Sequence, residues 1–456
     1  MHSDAVKNFN QKADALLLEL TPHPNPPRRQ ASIPIEPEVH VSATFSEENI
    51  IGGIQTRWFV SDRNGDEVGR FFKHNDKFTG LFGEGYRNLV RLSEGMGKAR
   101  EIRSTVSIRL LNDLIFIWVQ GKFINQISLP MTEYVLGECE KQIREMELWM
   151  PVAWLQIQSE FSVGRITFKT ITRRMMDTWQ ARVPTLSSPE EEAAIKHHFE
   201  RERHKLQGYA AATIKLFAEP QRASEIAFEE AENAISLLRF YSPANFSPRK
   251  VSYCSLLGKE MLEEQTYLIV KEGAIDLISS QAIETSEPSW QLSTRRITKF
   301  REEGLDLLSE LLAKEKRTEF QADVLNSILI YSKSSLAKNY ADRLVYILVA
   351  LESLLLKDGN EPIGTSLRER MAVLISPTLD GRLAVIKNVN ATYGLRSSFI
   401  HHGKNIGIDA LETLQTFMGN AWTCLYVILT KSSNQFSTKA EFIEAVERLK
   451  LSGGIQ

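Results

Sequence analysis

The sequence predicts an α+β protein with a β-rich N-terminal domain, a helical segment and a C-terminal all-α bundle. Asn64-Gly65 is a favoured two-residue hairpin turn with strand-like stretches on both sides of it. After about residue 185, apolar residues instead recur at helical spacing. The stretch 336–357 is long, mostly apolar and free of proline. This change of period separates a sheet-containing first part from a helical second part.

The 456 residues exceed one typical hydrophobic core, which predicts several domains. Six prolines between Pro22 and Pro37 interrupt regular structure and indicate an extended linker. We expect four regions: an N-terminal segment and Pro-rich linker at 1–44, an α+β or β-rich sensing domain at 45–180, a helical connecting region at 181–290 and a helical domain at 291–456.

The elements of the first half are justified by local periodicity and turn residues. In chain order they are an amphipathic helix at 1–20, a hairpin joining 55–60 to 67–72, a second hairpin through Asn112-Asp113 joining 105–111 to 114–119, a helix at 131–148 and a strand at 163–171. Together they predict a domain in which one helix interrupts several strands.

The second half begins with a strong helix start. Ser187-Ser188 supplies a hydroxyl cap, Pro189 suits the first turn, and the three glutamates that follow face the positive end of the helix dipole. Helices are expected to continue to about residue 240, to stop near Pro243, and to resume after Pro288.

Composition narrows the protein class. The net charge is −2, and from residue 291 onward 21 Lys and Arg stand against 18 Asp and Glu, a net of +3. That balance is compatible with a local contact to RNA and not with a broad basic surface. No basic leader followed by an apolar block is visible at the N-terminus, and three scattered cysteines form no framework. We therefore expect a cytoplasmic protein.

One motif points to chemistry. The chain reads Tyr393-Gly394-Leu395-Arg396-Ser397-Ser398-Phe399-Ile400-His401-His402-Gly403. A guanidinium can hold a phosphate through forked, charge-assisted hydrogen bonds. An imidazole can accept or donate a proton near neutral pH. Arg396 and His401 therefore suit attack by an RNA 2′-hydroxyl on the neighbouring phosphate.

The helices around this motif extend the pattern. They are expected at 336–357, 366–375, 411–429 and 439–449, with the motif between the second and third. With the Tyr-x-x-Arg-x4-His-His-Gly block, this order resembles the Apea-like group of HEPN domains, found in bacterial anti-phage proteins. The resemblance covers roughly 295–456. Ser397 differs from the asparagine, aspartate or histidine that often follows the arginine in that superfamily.

The resemblance implies an endoribonuclease with RNA as its substrate and a composite site formed across a homodimer. Its catalytic residues would be Arg396 and His401, with a 2′,3′-cyclic phosphate product. Supporting roles would fall to Tyr393, Ser397, His402 and Glu352. No cofactor or metal is expected, since no carboxylate or histidine cluster shows ligand spacing. A nuclease that cuts host RNA needs restraint, so the 45–180 domain is expected to sense a phage-derived trigger or to present the substrate, with the helices at 185–290 coupling it to the site.

Two structural explanations of the motif remain open. Arg396 can pair with Glu352, and His401 can cap a helix near Gly403. Five residues correspond to about 140° around an ideal helix, so the two side chains do not share a face. A non-catalytic HEPN module for dimerisation or RNA binding, with an N-terminal recognition domain, is therefore the alternative to an enzyme.

Other motifs favour ordinary structural roles. The glycines at 80, 83 and 85 and the stretch Gly95-Met96-Gly97-Lys98 lack the spacing of a phosphate loop and are interpreted as turns. Three histidines at 197, 198 and 204 are interpreted as part of a charged helix face. Tryptophans at 149, 154 and 179 are interpreted as core or interface rather than as stacking platforms.

Overall fold

The computed structural model describes residues 2–23, 58–62, 64–183, 189–259, 264–271, 274–282, 290–357, 361–403 and 406–451. For residues 189–191, 264–271, 274–282, 400 and 401 it describes the backbone only. The chain divides into two compact units, Met1–Glu147 with Lys215–Ile226, and Leu148–Ile214 with Ala227–Gln456. Most of the predicted linker (24–44), part of the first predicted strand (55–57) and the serine cap at 187–188 lie outside the described residues.

In the ranges that the structure describes, the part of the first unit up to residue 142 contains a four-stranded antiparallel sheet and five helices, which agrees with the predicted α+β class. Its helices are α1 (Ser3–Leu18), α2 (Glu84–Gly97), α3 (Arg100–Arg103), α4 (Ile108–Phe123) and α5 (Met131–Gln142), and its strands are β1 (Thr21–Pro22), β2 (Phe59–Ser61), β3 (Glu67–His74) and β4 (Lys77–Phe82). The strand order is β1-β4-β3-β2. The predicted N-terminal helix is confirmed as α1.

The first predicted hairpin is confirmed. Strands β2 and β3 pair antiparallel around the turn, where Gly65 has a φ of 87°. The Asp62 carboxylate accepts hydrogen bonds from the backbone N–H groups of Asn64 at 2.8 Å and Asp66 at 3.0 Å. A positive φ is the conformation that the glycine was expected to supply.

The second predicted hairpin, at Asn112-Asp113, is wrong. Helix α4 runs through both residues. Ser107 caps it by accepting a hydrogen bond from the N–H of Leu110 at 3.1 Å. Buried apolar side chains then recur at positions 111, 115, 118 and 119, which is the spacing of a helix rather than a strand. The helical period and the serine cap outweigh the turn preference of the Asn-Asp pair on which the hairpin prediction depended.

Two further predictions of the first half are corrected. The helix expected at 131–148 ends at Gln142, and β5 (Arg144–Ala153) follows, because the apolar residues at 146, 148, 150 and 152 alternate. The strand expected at 163–171 is a hairpin of β7 (Phe161–Val163) and β8 (Ile166–Thr170). Gly164 makes its turn with a φ of 61°, and a Cβ there would lie 2.8 Å from the Leu312 side chain.

The second unit combines a mixed set of strands with a helical bundle. Its further strands are β6 (Leu155–Ile157), β9 (Ala210–Ala218), β10 (Ser255–Leu256), β11 (Glu264–Lys271), β12 (Ala274–Ala282) and β13 (Trp290–Leu292). One sheet has the order β10-β5-β9-β8-β7, β13 pairs parallel with β6, and β11 and β12 form a hairpin. Helices α6 (Arg173–Ala181), α7 (Pro189–Leu206) and α8 (Pro220–Arg239) lie between these strands in the sequence.

The predicted connecting region is therefore only partly helical. Helices α7 and α8 are confirmed, whereas β9 and the β11–β12 hairpin lie in the same region. Between β9 and α8, the buried carboxylate of Glu219 accepts hydrogen bonds from the N–H groups of Gln221 and Arg222, both at 2.8 Å, and of Ser107 at 2.9 Å. Glu219 thus satisfies the start of two helices at once, α8 and α4.

The helices expected at 336–357, 366–375, 411–429 and 439–449 are confirmed as α12 (Tyr340–Leu355), α13 (Ile363–Ile375), α15 (Leu411–Val427) and α16 (Lys439–Leu451). The same part of the chain also contains α9 (Thr294–Phe300), α10 (Asp306–Ala313), α11 (Glu319–Lys333) and α14 (Leu379–His402). A kink at Gly304, which has a φ of 96°, separates α9 from α10, and a single π-helical turn follows α15. In the ranges that the structure describes, no helix is both long and apolar enough to cross a membrane.

Arg343 on α12 organises the segment 244–250 inside the second unit. Its side chain is 1% exposed, and its guanidinium donates five hydrogen bonds of 2.6–3.3 Å to backbone carbonyl oxygens. The acceptors belong to Ala244, Ser247, Pro248, Lys250 and Ala337. Burial lowers the pKa of Arg343 to about 10, so the group stays charged at neutral pH.

Arg370 on α13 is a second buried guanidinium, and it is paired with carboxylates. Its two Nη atoms donate to the two oxygens of Glu361 at 2.7 and 2.8 Å, and its Nε donates to Glu447 at 2.7 Å. The hydrogen bonds from Arg370 lower the pKa of Glu361 to about 2. The bidentate pair with Glu361 holds the segment before α13 against that helix, and the hydrogen bond to Glu447 joins α13 to α16.

Replacing Glu361 by glutamine is expected to lower the free energy of unfolding at pH 7 by about 2–3 kcal/mol. Because the folded pKa lies below the ordinary value of 4.5, the ion pair contributes fully above pH 4.5 and its contribution is lost as the pH falls towards 2. Urea unfolding of both proteins at pH 7 and pH 3 measures this. An equal difference at both pH values would show that the carboxylate charge is not what stabilises the fold.

Candidate functional site

The Arg-x4-His motif occupies the last turns of α14. Thr378 caps the start of this helix by accepting a hydrogen bond from the N–H of Gly381 at 3.2 Å. The helix ends at His402, and Gly403 follows with a φ of 62°. The Gly403 N–H donates to the carbonyls of Ser398 and Phe399. The glycine therefore terminates the helix directly after the motif, by adopting the left-handed conformation.

Three of the predicted site residues lie together. The Tyr393 hydroxyl donates a hydrogen bond to Oε1 of Glu352 on α12 at 2.7 Å. The guanidinium carbon of Arg396 lies 5.9 Å from the centroid of the Tyr393 ring. Burial, followed by the Glu352 carboxylate, raises the pKa of Tyr393, which keeps the hydroxyl protonated as a donor. Tyr393 thus contacts both the arginine and the carboxylate.

The pairing of Arg396 with Glu352 that the sequence left open is not what forms. Glu352 accepts from Tyr393 instead, and Arg396 makes no hydrogen bond or ion pair with another residue that the structure describes. Arg396 is half-buried on a face that includes an aromatic ring. A guanidinium in this state has its donors available to an anion, and phosphate oxygens match its forked geometry.

The remaining predicted residues are not brought together by one chain. Ser397 and His402 are exposed. His401 lies in α14, but its side chain is outside the described part of the structure. Since α14 is continuous through the motif, the positions of Arg396 and His401 differ by about 140° around the helix. The two positions therefore point in different directions from the helix axis.

The residue that ties the site helix to α15 was missed by sequence reasoning. Asn388 donates a hydrogen bond to the carbonyl of Thr413 at 2.9 Å and accepts one from Asn420 at 3.0 Å. The backbone carbonyl of Asn388 accepts a hydrogen bond at 2.9 Å from the hydroxyl of Thr392, the residue directly before Tyr393. A lone asparagine in a helix carries no motif, so only the spatial neighbours reveal this role.

The other sequence motifs do not form a competing catalytic site. Residues 95–97 end α2, so interpreting them as a turn is wrong, while Gly83 does make a turn with a φ of 59°. The histidines of α7 are exposed, as expected for a charged face. Trp149 and Trp179 pack edge to face at 5.1 Å beside a buried cluster, which confirms their structural role. In the described ranges, no group of three or more His, Cys, Asp and Glu side chains could hold a metal ion.

Comparisons with models of protein families, with curated protein sequences and with solved structures gave no match for this chain.

Proposed function

We propose that this protein is a metal-independent endoribonuclease of the HEPN type, an RNA-cleaving effector of bacterial anti-phage defence. The observation that supports this best is the environment of Arg396. Its guanidinium lies against the Tyr393 ring, while the nearby Glu352 carboxylate accepts a hydrogen bond from the Tyr393 hydroxyl. An arginine without a carboxylate partner among the described residues suits a phosphate ligand better than a structural ion pair.

In this proposal the 2′-hydroxyl of RNA attacks the adjacent phosphorus. His401 accepts the hydroxyl proton, or positions the scissile phosphate, and Arg396 stabilises the negative charge that grows on the phosphoryl oxygens. The bond from phosphorus to the 5′-oxygen breaks, and that oxygen leaves with a proton. The products are a 2′,3′-cyclic phosphate and a 5′-hydroxyl. Tyr393 and Glu352 orient Arg396, and the exposed Ser397 and His402 contact the RNA.

Incubation of the purified protein with total RNA in EDTA, beside the His401→Ala variant, tests the activity. We expect cleavage by the wild-type chain only, with ends that carry a cyclic phosphate. Cleavage that requires an added divalent ion, or that leaves a 3′-hydroxyl, would contradict the mechanism. Equal cleavage by both proteins would contradict a catalytic role of His401.

A composite site needs a second copy of the chain, and α14 offers a surface for one. The exposed positions of its second half include Ala391, Gly394 and Ser397, all small, and they follow each other at helical spacing. Small side chains let two helices approach closely. A second α14 placed there would bring its own Arg396 and His401 to the same RNA, which offsets the 140° divergence within one chain.

We therefore predict a homodimer with the two α14 helices beside the symmetry axis. Light scattering is expected to give twice the chain mass of 51.8 kDa at micromolar concentration. Replacing Gly394 by tryptophan is expected to shift the protein to monomer. Apart from the adjacent residues and the backbone of its own helix, no atom of the described residues lies within 4 Å of the Cβ position at Gly394, so the new side chain has room in one chain and would block a partner. A monomeric wild type, with and without RNA, would count against the composite site.

The second candidate function is a non-catalytic module that dimerises or binds RNA, with recognition assigned to the N-terminal region. The divergence of positions 396 and 401 favours it if no second copy completes the site. In either case we propose that the region 45–180 senses a phage-derived trigger. The three cysteines are free and buried, which suits the reducing cytoplasm where we place the protein. Comparing RNA cleavage with and without extract from phage-infected cells tests the trigger.

A further inference from the structure

A cavity in the second unit, outside the Arg-x4-His motif, combines aromatic and cationic side chains. Its volume is about 510 Å³. The residues that characterise it are Phe246, Phe300 and Trp422 on the aromatic side and Arg295, Arg296 and Lys299 on the cationic side. Cavities of this size hold small ligands that carry a flat apolar part and a few polar groups.

The aromatic side is fixed in place. Trp422 donates a hydrogen bond from Nε1 to the carbonyl of Phe240 at 3.0 Å and stacks on Tyr426 with ring centroids 5.2 Å apart. The rings of Phe246 and Trp422 pack at a tilt with their centroids 5.1 Å apart. Phe246 is 40% exposed, so part of its ring is accessible to a ligand. A flat ligand would therefore meet rings that are already ordered, with little loss of side-chain entropy.

The cationic side comes from α9. Its three basic side chains are exposed, and Arg295 makes no hydrogen bond or ion pair with another described residue. Arg296 lies 5.8 Å from the Phe300 ring, and Lys299 lies 3.6 Å from the Glu303 carboxylate. Because Glu303 also lines the cavity, the three cations and one carboxylate leave an excess of two positive charges. An anionic ligand is favoured there.

We propose that this cavity binds a nucleotide, with the base against Phe246 and Trp422 and the phosphate on Arg295 and Lys299. Nucleotides are the common ligands that join a flat π-face to a negative charge, and proteins bind them by combining aromatic platforms with basic side chains. The nucleotide belongs either to an RNA chain or to a free effector. The site does not depend on RNA cleavage, because it shares no residue with the motif.

Binding by the full-length protein tests this. A labelled 2′-O-methyl hexauridylate, which lacks the attacking hydroxyl, is titrated by fluorescence anisotropy, and AMP and ATP are titrated by calorimetry. Phe246→Ala is expected to weaken binding about tenfold. Arg295→Gln is expected to reduce the slope of log K against log salt by about 0.7 for the oligonucleotide. The matched control is Arg301→Gln, an exposed arginine in the adjacent turn, which pairs with Asp306 and does not line the cavity.

Each outcome either shows whether the bound nucleotide belongs to RNA or is free, or rejects the nucleotide site. Binding of the oligonucleotide alone assigns the cavity to RNA, and binding of AMP or ATP assigns it to a free nucleotide. Absence of binding by all three, or equal affinities for Phe246→Ala, Arg295→Gln and the control, would overturn the proposal. Cleavage of total RNA by Phe246→Ala is measured beside its binding, so loss of nucleotide binding and loss of cleavage are scored separately.

Discussion

Replacing Arg396 by alanine is expected to reduce RNA cleavage by about 10²–10³-fold, because one positioned donor to the developing charge is removed. His401→Ala is expected to cost about 10²–10⁴-fold, the usual contribution of a general base. Both variants should remain folded. Among the described residues, the Arg396 head group interacts with the Tyr393 ring alone, and such contacts stabilise by about 0.5–1 kcal/mol at partly exposed sites.

Initial rates on a short RNA, with circular dichroism of each variant, measure this expectation. Arg448→Ala is the matched control, because it removes an exposed arginine of α16 that pairs with Glu444, away from the motif. If both motif variants keep activity within a fewfold of wild type and their dichroism is unchanged, the catalytic role is contradicted. The non-catalytic binding module would then be the better explanation.

The Tyr393–Glu352 hydrogen bond allows a sharper test of the same site. Tyr393→Phe keeps the ring beside Arg396 but releases the Glu352 carboxylate, which is then able to pair with the guanidinium. We expect cleavage to fall by about tenfold, the effect of about 1.4 kcal/mol. Adding Glu352→Gln removes the competing charge and is expected to restore most of the loss. A double variant no more active than Tyr393→Phe would show that the tyrosine does not act by occupying Glu352.

The largest effect on stability is expected from Arg343→Met, which should lower the free energy of unfolding of the second unit by about 3–5 kcal/mol. Methionine fills a similar volume but donates no hydrogen bond, so five carbonyl oxygens lose their shared donor. Urea unfolding followed by far-UV dichroism gives the difference.

Arg368→Met is the matched control for this prediction. Arg368 lies on α13, is only half-buried, and among the described residues its side chain donates one hydrogen bond, to Asn390. Arg343→Lys keeps the charge but has fewer hydrogen-bond donors, so its free energy of unfolding is expected to lie between those of wild type and Arg343→Met. A loss below about 1 kcal/mol for Arg343→Met would show that the segment 244–250 is held by other contacts.

The elements that sequence reasoning placed correctly have local causes. The hairpin of β2 and β3 was placed correctly because Asn64-Gly65 is visible in the sequence as a turn signal. Strand β9 was missed because Ala210, Ala211 and Ala212 favour helices. Their burial in the sheet, where small side chains fit, decides the structure instead. Helix α4 was missed because an Asn-Asp pair resembles a turn until the serine cap before it is considered.

The candidate site was predictable in its position and not in its contacts. The spacing of Arg396 and His401 is a property of the sequence, and so is their divergence on one helix. The link from Tyr393 to Glu352 joins residues 41 positions apart, and it depends on how α14 packs against α12. Whether an arginine pairs with a particular carboxylate depends on the tertiary structure, because the sequence does not show which acidic side chains come close to it.

The order of synthesis gives the discontinuous first unit a further meaning. A ribosome releases Met1–Glu147 long before Lys215–Ile226, which the same unit includes. At about 5–20 residues per second, the intervening and completing residues require roughly 4–16 s. During that interval the N–H of Ser107 lacks the Glu219 carboxylate that accepts its hydrogen bond. The first unit therefore stays incomplete until Lys215–Ile226 is synthesised. A chain whose synthesis stalls between Glu147 and Lys215 would present chaperones with an incomplete core.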